Sequence, residues 1–176
     1  MADETKEPWL NFLALATVIL AVCATMATFK GGGYSTRSIM SQAQASDEWA
    51  FFQAKSMKEI LFELNRDQLE MQAVGATGAR AEALGKKVED YARKVASFDH
   101  DKEVIKKKAE ELEAQRAEAQ KHSYAFGIAV IYLQISILLS SIAALLKKKP
   151  VWLLGLVVGA LGIFYFFNGF FLFLPA

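Results

Sequence analysis

From Leu84 onward, apolar or small residues recur at alternating steps of four and three: Leu84, Val88, Tyr91, Val95, Phe98, Ile105, Ala109, Leu112 and Ala119. The same register enters an apolar block at Phe126, Val130, Leu133, Ile137 and Ala144, and only Lys102, Arg116, Ser123 and Ser140 interrupt it with polar groups. A sustained seven-residue repeat keeps one seam of a helix turned towards a partner. No proline lies between Leu84 and Leu146, and Gly85 and Gly127 are the only glycines, so nothing forces a break. The softest point is Ser97 to Asp101, where Asp99 is able to cap a new helix, and the reading keeps the helix continuous through it. At about 1.5 Å per residue such an element runs roughly 90–100 Å. Its charged first half suits water and its apolar second half suits lipid.

Composition matters here through its distribution. The chain is 53% hydrophobic and 22% charged, and the apolar residues gather in three blocks with the charges collected between the first two. That segregation marks a polytopic membrane protein with one water-exposed region. Residues 1–8 form a short acidic tail. Residues 9–29 are long enough to span a bilayer, with Trp9 expected at the interface. An acidic leader where a basic one is required argues against a signal peptide. The single cysteine, Cys23, lies inside this span, allows no intrachain disulfide and reads as a small packing residue. Residues 124–146 form the second span, 147–150 a tri-lysine loop ending in Pro150, and 151–174 the third span, with Pro150 suited to a first helical turn.

Lys30-Gly31-Gly32-Gly33-Tyr34 reads as a break, since three glycines lose much backbone entropy in a regular helix. Residues 30–37 are therefore expected to be a hinge at the membrane surface, with Lys30, Tyr34 and Arg37 among lipid headgroups. No strand precedes the glycines and no Gly-Lys-Ser/Thr ending follows, so a phosphate-binding loop is not indicated. A helix follows in which positions 40, 43, 47, 50, 54, 57, 61, 64, 68 and 71 keep the repeat, with Asp47 and Gln68 as exceptions. Trp49, Phe51, Phe52 and Phe62 lie off this seam and widen the apolar surface beyond what one partner covers. Val74-Gly75-Ala76-Thr77-Gly78 is a turn signal between two segments of comparable length.

The expected fold class is an all-α membrane protein. It has three transmembrane helices plus a long extramembrane antiparallel coiled-coil hairpin, residues 38–123, with its tip near 74–78. A homo-oligomer interface is expected at Met40, Ala43, Trp49, Ala50, Phe52, Ala54, Met57, Leu61 and Leu64. Gly155, Gly159 and Gly162 of the third span join it, because a small-xxx-small face lets membrane helices approach closely.

Chemistry-bearing residues are sparse. Asp99-His100-Asp101 has no second ligand cluster at metal-binding spacing and reads as a solvated helix face. His122 follows Glu118 by four residues, an ordinary helix pair. No nucleophile is paired with a base, so no catalytic, cofactor-binding or metal residue is assigned, and the expectation is a non-enzyme without cofactors. From Lys30 to His122 basic and acidic residues are equal in number, which leaves no basic footprint for nucleic acid. The expected partners are membrane lipids, sibling copies and another envelope protein. The spans carry no Asp, Glu, Lys, Arg or His, which argues against an ion-coupled pump. Gln134 and Ser141 lie seven apart on one face, so the alternative to a scaffold or docking protein is a pore lined by them, with the hairpins as vestibule.

Several stretches carry a resemblance: Lys6-Glu7-Pro8-Trp9-Leu10-Asn11, Lys30 through Ser38, Gln44 through Ala50, and Leu133-Gln134-Ile135-Ser136-Ile137. Together they resemble an uncharacterised bacterial membrane family, domain of unknown function 4337. The likeness covers the whole chain, and the lysine-triglycine-tyrosine stretch is its most specific part. The resemblance implies a small inner-membrane protein with a helical extramembrane region and transfers no functional residues. With three spans, the amino terminus and the Lys147–Lys149 loop share a side. The positive-inside rule makes that side cytoplasmic and the hairpin periplasmic.

Overall fold

The computed structural model describes residues 8–174. Residues 1–7 of the expected acidic tail lie outside the described residues. Three helices follow in order: α1 (Pro8–Ala73), α2 (Ala79–Leu146) and α3 (Lys149–Phe171). No strand occurs among the described residues. All three helices are long and apolar enough to cross a membrane, by length and composition.

The α1–α2 connection falls where the sequence places a turn. Gly75 and Gly78 adopt φ of 81° and 63°, the left-handed region open to glycine at little cost. α2 starts at Ala79, ahead of the expected Leu84, and passes Asp99 without a break. Lys148 N donates to Ala143 O at 3.2 Å to close α2, and Pro150 lies in the first turn of α3.

One expectation is overturned. α1 runs through residues 30–37 as unbroken helix, so there is no hinge. The reason lies far off in sequence. A Cβ at Gly31 would sit 3.0 Å from the Phe126 Cβ, so glycine admits the aromatic ring against the α1 backbone. The entropic cost of glycine is offset by a contact that local sequence does not reveal.

The chain divides into two compact units, residues 8–39 with 116–174 and residues 40–115. In the first, α1 buries or half-buries Leu13, Thr17, Leu20, Ala24, Ala27, Gly31, Tyr34 and Ser38. On α3, Gly155, Gly159, Gly162, Phe166 and Gly169 are buried at steps of four and three, with Asn168 buried beside them. The core forms three layers: Trp9, Leu13 and Ala143; Leu20, Ala24 and Leu133; and Ala27, Phe126, Ala129 and Phe166. Trp9 packs on Trp152, with ring centroids 5.9 Å apart.

In the second unit, α2 buries or half-buries Leu84, Val88, Tyr91, Val95, Phe98, Ile105, Ala109 and Leu112, the register read from sequence. On α1 the inward residues are Ser41, Ala45, Glu48, Phe52, Lys55, Glu59, Phe62, Arg66, Leu69 and Ala73. Glu48 meets Lys108 at 2.6 Å, Lys55 meets Asp101 at 2.6 Å, and the Phe62 ring lies 5.3 Å from Tyr91. Positions on α2 fall as those on α1 rise, so the two segments run in opposite directions.

Candidate functional site

Several polar groups of the second unit meet in one layer. Lys102 donates to Glu59, which is 7% exposed, and also pairs with Asp99 at 3.2 Å. Lys55 donates to Asp101 at 2.6 Å. Its ammonium also lies over the Phe98 ring, 5.3 Å from the centroid. The hydrogen bond it donates to Glu59 holds the Lys102 ammonium above the usual lysine range. Hydrogen bonding to Lys102 lowers the Asp99 carboxyl, and hydrogen bonding to Lys55 lowers that of Asp101. These carboxylates are thus engaged by lysines rather than turned towards a shared centre, and no group of three His, Cys, Asp or Glu suited to a metal occurs among the described residues. The arrangement is that of a charged pair inside a helical seam.

That assignment has a measurable consequence. Lys102→Leu alone is expected to destabilise the unit by about 2–3 kcal/mol, because it leaves the buried Glu59 carboxyl without its ion-pair partner. Glu59→Leu together with Lys102→Leu should return to within about 1 kcal/mol of the parent in denaturant titrations followed by helicity, since an apolar pair replaces both ions.

Within the first unit the polar contacts join helices. Ser136 Oγ donates to Gly155 O at 2.6 Å, and Ser123 Oγ donates to Gly31 O at 3.1 Å. His122 Nδ1 lies 2.8 Å from Gly169 O, and since a carbonyl only accepts, Nδ1 carries the proton. The His122 ring stacks on Tyr34 at 4.4 Å and 13°. The Leu174 amide donates to Asn168 Oδ1 at 2.9 Å, tying down the end of α3. Ser140 Oγ and Trp152 Nε1 are buried without a hydrogen-bond partner among the described residues. No nucleophile–base pair results from any of these contacts.

The expected interface residues separate into two sets. Met40, Ala43, Ala50, Ala54, Met57, Leu61 and Leu64 are all exposed, on the side of α1 away from α2. Trp49 and Phe52 are half-buried within the unit. Trp49 Nε1 donates to Glu113 Oε1 at 2.8 Å, and the Trp49 and Phe52 rings meet edge to face at 5.7 Å. Gly155, Gly159 and Gly162 also face inward. Cβ atoms built there would lie 3.3 Å from Leu139 Cβ, 2.7 Å from Ser136 Oγ and 2.8 Å from Leu133 Cγ, respectively. Their small-residue face is filled by α2 and by Leu20 of α1, so it is not free for another copy.

Of the expected headgroup residues, Lys30 and Arg37 are exposed, whereas Tyr34 is half-buried against His122 and Phe126. Gln134 and Ser141 lie on the outer face of α2, and Ser141 Oγ bonds back to Ile137 O at 2.9 Å. A lining made by them would have to lie between copies. The residue that sequence reading missed is Glu59. Its only signal was a charge opposite Lys102, which breaks the α2 seam.

A family model described as "Domain of unknown function (DUF4337)" matches residues 9–172. No curated protein and no solved structure matches the chain.

Proposed function

The chain belongs to the DUF4337 family, and from its geometry we propose that it is a membrane-embedded, non-enzymatic homo-oligomer serving as a scaffold or docking protein. In this reading the first unit crosses a bacterial inner membrane three times and the second unit is in water. The Lys147–Lys149 loop is cytoplasmic by the positive-inside rule, and the second unit is periplasmic. Another envelope protein is the natural further partner.

A single observation carries the reading. The outward stripe of α1 is more apolar than the seam turned towards α2. Met40, Met57, Leu61, Leu64 and Met71 are 57%, 67%, 55%, 60% and 70% exposed. Isolated exposed apolar side chains are ordinary, but a seven-residue repeat of them along one helix is the signature of a coiled-coil seam without its partner. Copies inserted alike in one membrane present this stripe in the same direction. Their α1 helices can therefore pair in parallel, with Asp47 and Gln68 as polar layers that fix register. Ala43, Ala50 and Ala54 allow close approach of the backbones.

Full-length protein in detergent or nanodiscs is expected to give an oligomer by mass photometry. Met57→Glu with Leu61→Glu should shift it to monomers while helicity is kept, because both glutamates fall on the outward stripe. A monomeric parent protein, or an oligomer indifferent to these charges, overturns the proposal.

A further inference from the structure

We propose that a groove on α1 between Lys30 and Arg37 seats the phosphate-bearing headgroup of an anionic phospholipid. The inference rests on the membrane reading above and names a ligand that the assembly itself does not require.

Lys30 and Arg37 are the only charged residues between Pro8 and Ser46, both exposed, and neither has an ion-pair partner among the described residues. They are seven residues apart, which puts them on one face and about 10 Å apart along the axis. Both side chains are long enough to reach a single phosphate lying between them. The groove there has a volume of about 640 Å³ and is lined by Phe29, Lys30, Gly32, Gly33, Tyr34 and Arg37.

Two glycines keep it open. Cβ atoms built at Gly32 and Gly33 would meet nothing within 4 Å, unlike the one at Gly31, which meets Phe126. Gly31 is explained by packing inside the chain, and its two neighbours are not. Phe29, 79% exposed, ends the apolar run at the lip of the groove. A phospholipid supplies both chemistries at that depth, an acyl chain for Phe29 and a phosphate for the two cations. A sibling copy fits worse. Inserted in the same direction, it would bring its own Lys30 and Arg37 to the same level, and like charges would face one another.

The test uses full-length protein in nanodiscs of mixed phosphatidylglycerol and phosphatidylcholine. Lipids retained after extraction are counted by native mass spectrometry. Phosphatidylglycerol should be retained preferentially. Lys30→Gln and Arg37→Gln should each lower that preference roughly fivefold, the usual weight of one basic residue at an anionic surface. Gly33→Leu keeps both charges but fills the groove, and it should also lower retention. Its side chain meets open space, so helicity should hold. Retention unchanged in Gly33→Leu overturns the proposal. So does an equal loss on neutralising Lys147, Lys148 and Lys149 together, which would mark a general attraction to cations. Displacement of the lipid by millimolar inorganic phosphate assigns the groove to free anions and overturns it as well. Failure of the parent protein to enter nanodiscs overturns this inference together with the membrane reading. Incorporation without lipid preference overturns this inference alone.

Discussion

Gly162→Leu is expected to cost the first unit about 3 kcal/mol or more, read as a sharp fall in the thermal unfolding midpoint in detergent. Even a single Cβ at this position would lie 2.8 Å from Leu133 Cγ, 2.9 Å from Leu133 Cδ2 and 3.0 Å from Leu133 N. The first two atoms belong to a fully buried side chain with no free volume to move into. The third is helix backbone, which cannot move without breaking the α2 ladder. Gly162→Ala should therefore destabilise in the same direction by a smaller amount. Leu133→Ala introduced beside Gly162→Ala should recover only part of the loss, because the contact with the Leu133 amide nitrogen remains. Full recovery would show that side-chain crowding alone sets the limit. No loss in Gly162→Leu would mean that α3 does not approach α2 this closely.

The same glycine shows how far the sequence could be read. Spacing identified Gly155, Gly159 and Gly162 as a close-packing face, and they are one. Spacing carries no information about whether the approaching helix belongs to the same chain. The α2 register from Leu84 to Ala144 was legible throughout, because its apolar residues recur with few interruptions and the true seam is also the most hydrophobic one. α1 misled for the opposite reason. Its seam towards α2 includes Glu48, Lys55, Glu59 and Arg66, three of which are answered by Lys108, Asp101 and Lys102. A stripe one or two positions away, from Met40 to Met71, is more apolar, and apolar spacing alone selects it as the seam. Hydrophobicity ranks faces by their cost in water, and ion pairs formed across a helix pair are invisible to it. The turn at 74–78 was legible because positive φ selects glycine locally. The continuity of α1 at Gly31 was not, since its cause, Phe126, is ninety-five positions away.

Phe126 is also where a deletion should be felt most. Its ring is fully buried, with centroids 5.0 Å from Phe170, 6.1 Å from Phe166 and 6.0 Å from Tyr34. Two glycines, Gly31 and Gly169, hold the backbones of α1 and α3 against it. Phe→Ala in a water-soluble core costs about 3–5 kcal/mol, part of it transfer from water and part the cavity left behind. In lipid the transfer part shrinks, because acyl chains are as apolar as the core, and packing dominates. Phe126→Ala is therefore expected to cost about 2–4 kcal/mol, measured by unfolding in detergent. The decisive comparison is at Gly169. A Cβ there would lie 2.7 Å from the Phe126 ring, so Gly169→Ala should destabilise the parent protein. With Phe126→Ala already present, the ring is gone and the added methyl enters its cavity. Gly169→Ala should then be neutral or stabilising. That reversal of sign reports the ring–backbone contact itself, and a substitution equally harmful in both backgrounds would show that the ring does not occupy this space.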